Sequence, residues 1–205
     1  MRRRFRKALT RSLSQRAAAR TPHWRAIDAE YRRLLRCNAD RALDEPAMIH
    51  LSLAAFVLAT YRDLAPVFRD RTQLLDLLTR AFGYAYRGTG FPLSVEIMLR
   101  LSRSPYTALR RRFTPSWIGD LVYGKTFEFE TTEESNAFTL GVKRCLYNDF
   151  FRANGAPEVT PVFCAADDLW SRRIKPERHG VRFARPTTLA RGGDMCRFEF
   201  HRDET

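Results

Sequence analysis

Residues 187–203 read TTLARGGDMCRFEFHRD, and this stretch decides how the chain folds at its end. The adjacent Gly192 and Gly193 tolerate positive φ and close backbone approach, so they predict a turn. The alternating run that follows, MCRFEF, predicts a strand, because successive side chains of a strand point to opposite faces. Cys196 and two phenylalanines share its apolar face. The pattern therefore places a cysteine on the buried face of a strand, directly after a glycine turn.

The residues before this stretch predict the rest of the C-terminal half. Residues 181–190 (VRFARPTTLA) predict a strand that pairs with the last one in an antiparallel hairpin. Residues 123–130 (YGKTFEFE) alternate and predict a further half-buried strand. A helix is expected from about residue 133 to residue 153, with Cys145 on its buried face.

The N-terminal half predicts helices. Apolar spacing and proline starts indicate helices over residues 22–37, 45–64, 66–86, 92–102 and 105–113. The second is apolar nearly all round and is expected to be the central buried helix, with His50 as a satisfied core or boundary histidine. Its apolar run is about 14 residues, too short to span a bilayer.

The fold class expected from these elements is α+β, with a helical N-terminal half packed on a C-terminal antiparallel sheet that has helices on one face. We divide the chain into a basic N-terminal arm (1–20), a helical region (21–113) and an α+β region (114–205). The three are expected to form one integrated domain.

The charge is concentrated in the first half of the chain. The net charge is +13, with +14 in residues 1–112 and −1 in residues 113–205. Residues 1–20 carry eight basic residues and no acid, and are interpreted as a solvated arm that could touch anionic surfaces. Nucleic-acid binding is disfavoured because no base-reading module accompanies the arm. No apolar export segment follows the arginines, so a cytoplasmic location is expected, with no transmembrane segment.

Four widely spaced cysteines, with no CxxC pair, argue against a zinc knuckle or a thioredoxin motif. Cys37 is interpreted as a packing residue. No cofactor is expected. A zinc site built from Cys145, Cys164 and Cys196, with an aspartate or histidine as the fourth ligand, stays open as an alternative.

The order of motifs over residues 138–200 resembles one family, the L-2-amino-thiazoline-4-carboxylic acid hydrolases. That family carries a cysteine in an aromatic-bearing helix, a G-x-P-E segment before Cys-x-x-Asp, and an ending with threonine-leucine, Gly-Gly and Cys-x-Phe-x-Phe. The resemblance covers about residues 40–201, and the C-terminal half also resembles vinyl-reductase-type small-molecule-binding domains. The matching positions are Cys145, Tyr147, Gly155, Pro157, Glu158, Cys164, Asp167, Thr188, Leu189, Gly192, Gly193, Asp194, Cys196, Phe198 and Phe200.

The resemblance implies hydrolytic opening of a small cyclic amidine, an aminothiazoline-type ring. Such a reaction needs a nucleophile, a proton donor for the leaving sulfur and a counter-charge for the amidinium. Cys196 or Cys145 is the expected nucleophile, and Cys164 is expected at the same pocket. Asp168 or Asp167 would face the amidinium, and Asp194 would orient or protonate.

The remaining substrate-binding candidates are Trp170, Gly192, Gly193 and Phe198. A second hypothesis, from a different class, is a non-catalytic module that binds a small planar or apolar ligand. Free cysteines often only fill space in a core, so the sequence leaves the choice open. In either case the expected partner is a small molecule.

Overall fold

The fold is known from a computed structural model that describes residues 1–14 and 21–203. Within these residues it has ten α-helices, a π-helix and a four-stranded sheet, which confirms the α+β class. The helices are α1 Arg2–Ser14, α2 Trp24–Cys37, α3 Glu45–Leu64, α4 Arg71–Arg87, α5 Phe91–Leu101, α6 Pro105–Arg112, α7 Leu146–Ala153, α8 Thr160–Cys164, α9 Asp167–Ser171 and α10 Pro176–His179. The strands are β1 Glu128–Glu133, β2 Ala137–Arg144, β3 Val181–Ala184 and β4 Cys196–Arg202, and the π-helix is Ser116–Tyr123.

Helix α3 is the central helix of the N-terminal half. Asp44 caps its start by accepting hydrogen bonds from the Ala47 N–H at 3.0 Å and the Lys125 N–H at 2.8 Å. By length and composition α3 could cross a membrane, but 61% of its apolar window is buried inside the protein. That burial is typical of a core helix in a soluble protein. Gly124, at φ +82°, passes so close to Asp44 that a Cβ there would collide with the carboxylate.

The first helix is docked rather than solvated. Phe5, Leu9 and Leu13 recur every four residues on one face of α1, are buried, and belong to the same hydrophobic core as α3 and α4. The expectation of a solvated arm is therefore wrong for Arg2–Ser14, because its charges conceal an apolar stripe of helical period. The rest of the arm, residues 15–20, lies outside the described residues.

The sheet has the order β1-β2-β4-β3, and every neighbouring pair is antiparallel. The predicted hairpin of β3 and β4 is confirmed, although β3 ends at Ala184. Gly192 lies in the connection at φ +82°, a conformation that favours glycine. In β2 and β4, Val142 lies opposite Cys196, so Cys196 occupies the first rung of the central strand pair.

Two expected elements differ from the structure. The helix expected over residues 133–153 is wrong: β2 occupies its first half, α7 its second, and Cys145 precedes the first turn of α7. Phe138, Leu140 and Val142 follow the two-residue period of a strand, and all three are buried on one face. The strand expected over residues 123–130 begins only at Glu128, because the π-helix extends to Tyr123 and a turn follows it, in which the Phe127 N–H donates to the Gly124 carbonyl at 3.2 Å.

Candidate functional site

A cavity of about 800 Å³ lies between α3, the π-helix, helices α7 to α9 and the central strands of the sheet. Its wall is mostly aromatic and aliphatic. The rings that enclose it include Tyr86, Tyr123, Phe127, Tyr147, Phe163 and Phe198. A volume of this size is typical of a small-molecule pocket.

The structure brings Cys145, Cys164 and Cys196 to the wall of this one cavity. Cys164 is the last residue of α8 and Cys196 is the first residue of β4. Val142 lies opposite Cys196 in the sheet, and Cys145 follows three residues later, so both reach the same end of the sheet. All four cysteines of the chain are free. The fourth, Cys37, is exposed, so its interpretation as a packing residue is wrong.

The three cavity thiols are poor acids in this environment. Burial raises the pKa of Cys145, of Cys196 and, to about 12, of Cys164. The backbone N–H of Leu189 donates to the Cys196 sulfur at 3.3 Å. In the part of the chain that the structure describes, none of the three thiols hydrogen-bonds a carboxylate or an imidazole. They are therefore protonated at neutral pH until a base removes the proton.

Asp167 places a carboxyl group in the same wall. Burial raises its pKa to about 6, while the neighbouring Arg185 guanidinium opposes that shift. Arg185 donates to Asp167 at 2.9 Å and to the Cys164 carbonyl at 2.9 Å, and the Trp170 indole N–H donates to Asp167 at 3.3 Å. The carboxyl group is thus held in place next to Cys164, and it is mostly ionised at pH 7.

Arg185 is a residue that sequence reasoning missed. Its side chain is 17% exposed, and its guanidinium also pairs with Asp168 at 3.3 Å. An arginine one residue after a short strand carries no signal of such a role, because its partners lie 17 and 18 residues earlier in the chain. Only the folded arrangement reveals it.

His50 and Tyr147 form a second polar pair in the wall, 97 residues apart in sequence. The His50 Nε2 lies 2.8 Å from the Val122 carbonyl oxygen, so this nitrogen carries the hydrogen and donates it. The Nδ1 then accepts from the Tyr147 hydroxyl. Burial lowers the pKa of His50 and raises that of Tyr147, so both side chains are neutral. This satisfied histidine agrees with the sequence interpretation, and the structure adds that it faces the cavity.

Other predicted site residues lie outside the cavity wall. Asp194 makes two hydrogen bonds to Arg197, at 2.7 and 2.8 Å, and its side chain is 63% exposed. The carboxylate faces solvent and is not part of the cavity wall, so the structure does not place it where it could orient or protonate a ligand bound there. Gly192 and Gly193 shape the turn before β4 and do not line the cavity, and neither does Asp168. Trp170 and Phe198 do line it.

The described residues provide no set of ligands for the zinc site that the sequence left open. Across residues 1–14 and 21–203, no three His, Cys, Asp or Glu side chains come together in an arrangement that could hold a metal ion. The cysteines converge on the cavity as separate parts of its wall.

The fold and the cavity define an α+β protein with a large aromatic pocket between a helical layer and an antiparallel sheet. The chain belongs to the L-2-amino-thiazoline-4-carboxylic acid hydrolase family, whose model matches residues 78–200. The matched range includes the three cavity cysteines, Asp167 and Arg185, whereas His50 and α1 precede it.

Comparison with curated proteins gives no match. Among solved structures, one similar chain is an H-NOX protein from S. oneidensis in the Fe(II)NO ligation state. It is 12% identical, with 98% of each chain covered and a TM-score of 0.34. That score is too low to indicate a shared fold.

Proposed function

We propose that this protein is a cytoplasmic hydrolase that opens a small cyclic amidine or thiazoline-type ring bound in the aromatic cavity. The observation that carries the proposal is the meeting of three thiols and the Asp167 carboxyl group in one wall, within the range matched by the hydrolase family. Thiol and carboxyl groups supply a nucleophile and a base, which are the groups that this ring opening requires.

The cavity suits a planar substrate larger than a single five-membered ring. A volume of about 800 Å³ leaves space for further apolar groups on the ring. Tyrosine and phenylalanine rings can stack on its faces. The ionised Asp167, held by Arg185 at 2.9 Å, would pair with the amidinium. We therefore assign the counter-charge for the amidinium to Asp167, which lines the cavity, and not to Asp168, which does not.

The proposed reaction has two stages. In the first, a cysteine transfers its proton to Asp167 and its sulfur attacks the amidine carbon, whose C=N electrons move to nitrogen. Re-forming the C=N bond expels the ring sulfur, which takes the proton. In the second stage, water adds to the same carbon. One of its hydrogens goes to a substrate nitrogen and the other to the enzyme sulfur, which leaves as a thiol while the C=O bond forms. The sum is one ring plus one water, giving an N-carbamoyl product with a free thiol.

Cys196 and Cys145 remain the expected nucleophiles, and the structure adds a reason to test Cys164 alongside them. After burial, the nearby Asp167 charge is the largest cause that raises the pKa of Cys164. Arg185 donates to the Cys164 carbonyl and to the Asp167 carboxylate, both at 2.9 Å, and so holds the two residues close together. This proximity would favour proton transfer between them once a ligand has displaced water.

One observation favours the second candidate, a binding module without turnover. The resting thiols have raised pKa values and no hydrogen bond to a base within the described chain, so nothing activates them in advance. A cavity with this wall could hold a planar apolar ligand without reacting with it.

An assay with 2-amino-thiazoline-4-carboxylate and ring analogues that carry larger apolar groups separates the two candidates. Release of a free thiol, quantified by a colorimetric thiol reagent, reports turnover. We expect Asp167→Asn and one of Cys145→Ser, Cys164→Ser or Cys196→Ser to abolish it. Cys37→Ser is the matched control, because Cys37 is exposed. Unchanged turnover in all three cavity cysteine variants would refute the proposal that a cavity cysteine is the nucleophile. Saturable binding without thiol release would favour the binding module.

A further inference from the structure

A second concave site has a lining that shares no residue with that of the cavity. It is a groove of about 380 Å³ between the end of α4, α5, α9 and α10. We call it the basic groove, and its charged lining is Arg87, Glu96, Arg100, Asp168, Arg172, Arg173, Lys175 and Arg178. Six cations and two carboxylates leave a formal charge of +4 on one concave surface.

Both carboxylates of the basic groove are already paired. Glu96 accepts from Arg100 at 2.6 Å and from Arg173 at 2.8 Å. Asp168 lies 4.0 Å from Arg172 and 3.3 Å from Arg185. These contacts hold α5 against the segment after α9, so the groove has a fixed floor.

Three cations of the basic groove have no carboxylate partner among the described residues: Arg87, Lys175 and Arg178. All three are exposed at its rim. Guanidinium groups form paired hydrogen bonds with phosphate oxygens. Because no carboxylate pairs with these three side chains, their donors are available to such a ligand.

His179 supplies an independent sign that the groove is built for an acceptor. The Lys175 backbone N–H donates to its Nδ1 at 2.9 Å, so in the neutral ring the hydrogen is on Nε2. Burial and the nearby Arg178 and Lys175 charges lower the pKa of His179, which keeps the ring neutral. The Nε2 is buried and has no hydrogen-bond partner among residues 1–14 and 21–203, although His179 belongs to the lining of the groove. A buried N–H without an acceptor costs free energy that a bound anion would recover.

We propose that the basic groove binds a small phosphate-bearing anion, with Arg87, Lys175 and Arg178 on its oxygens and the His179 Nε2–H donating to one more. The concave shape and the buried donor favour a small anion over a nucleic-acid strand, which would contact exposed cations alone. The groove is separate from the aromatic cavity. The two sites share one link, since Arg185 bridges Asp168 in the groove and Asp167 in the cavity.

Calorimetric titration of the full-length protein with inorganic phosphate, pyrophosphate and adenosine monophosphate tests the proposal, at constant ionic strength set with sodium chloride. We expect saturable binding of at least one of these probes. Tighter binding of adenosine monophosphate would assign a nucleotide, and equal or tighter binding of the inorganic probes would assign the phosphate group alone. Both outcomes support the groove.

The double variant Arg87→Ala/Arg178→Ala should weaken binding tenfold or more, about 1.4 kcal/mol. Arg103→Ala, which removes an exposed arginine outside the groove, should leave it unchanged. On the unaltered protein, ¹⁵N-labelled histidine spectra should show the His179 Nε2–H resonance shifting with phosphate, a readout that needs no substitution at a buried site. Three outcomes would each overturn the proposal: no saturable binding of any probe, equal losses of affinity in the double variant and in Arg103→Ala, or binding of a single-stranded oligonucleotide alone.

Discussion

Helix α1 should contribute a large part of the stability of this protein, and Leu9→Ala tests this directly. Leu9 is 0% exposed and lies at the centre of the α1 stripe, with Phe5 and Leu13 one turn to either side. Truncating a fully buried leucine to alanine costs about 2–5 kcal/mol, and truncating a buried phenylalanine costs about 3–5 kcal/mol. Domains of this kind have about 5–15 kcal/mol of total stability, so either substitution removes a substantial share.

Equilibrium unfolding in urea, followed by tryptophan fluorescence and far-ultraviolet circular dichroism, measures the loss. With a slope of about 2 kcal/mol per molar urea, a loss of about 3 kcal/mol lowers the midpoint by about 1.5 M. Arg3→Ala is the matched control, because Arg3 is exposed on the same helix and its removal should change stability by no more than about 0.5 kcal/mol.

The reasoning fails if Leu9→Ala and Phe5→Ala unfold at the same urea concentration as Arg3→Ala. Such a result would mean that α1 is not docked in solution and that its apolar stripe is unpaired. The helix also matters to the cavity, because Met1 and Arg2 belong to its lining. A destabilised α1 should therefore weaken ligand binding in addition to lowering the urea midpoint.

Three further predictions concern the site and its support. Burial raises the pKa of Asp167 in the folded protein to about 6, above the unfolded value of about 4. Its contribution to the free energy of unfolding is therefore fully present below pH 4 and is lost as the pH rises through 6. Asp167→Asn should flatten that part of the stability profile, measured by urea midpoints at pH 4.5 and pH 7. Tyr147→Phe leaves the buried His50 Nδ1 without its donor and should cost about 1–3 kcal/mol, and an unchanged thermal unfolding midpoint would contradict the hydrogen bond. Gly124→Ala introduces a Cβ that collides with the Asp44 carboxylate at positive φ, and should destabilise by more than about 1 kcal/mol. Gly155→Ala is also at positive φ, but no described residue comes within 4 Å of the added Cβ, so it should cost less in the same measurement.

Much of the fold follows from local pattern. Helix α3 was predictable because Asp44 and Pro46 mark its start and its residues are apolar on all sides, and β4 was predictable from strict alternation after the glycine pair. The second strand was missed because Phe138 and Cys145 are seven residues apart, which also fits two turns of a helix. The two-residue spacing of Phe138, Leu140 and Val142 was the better guide.

The site was harder to predict because its parts come from distant segments. Motif order indicated that Cys145, Cys164 and Cys196 could share a pocket, but no local pattern shows that His50 meets Tyr147 or that Arg185 meets Asp167. Those pairs depend on how α3, α7 and the strands pack together. Asp194 shows the opposite error, in which a local pattern suggests a role that the fold does not support. Its position next to the glycine turn looked functional, but its carboxylate pairs with Arg197 at the protein surface.

The outer strand β1 has a consequence for how molecules of this protein meet in concentrated solution. An open sheet edge can pair with the edge of another molecule and start aggregation. Here that edge carries Glu128, Glu130 and Glu133, each paired with a basic residue from β2 or α6. A strand arriving from another copy would have to strip water from these carboxylates and compete with their ion pairs. The acidic edge therefore disfavours extension of the sheet through β1.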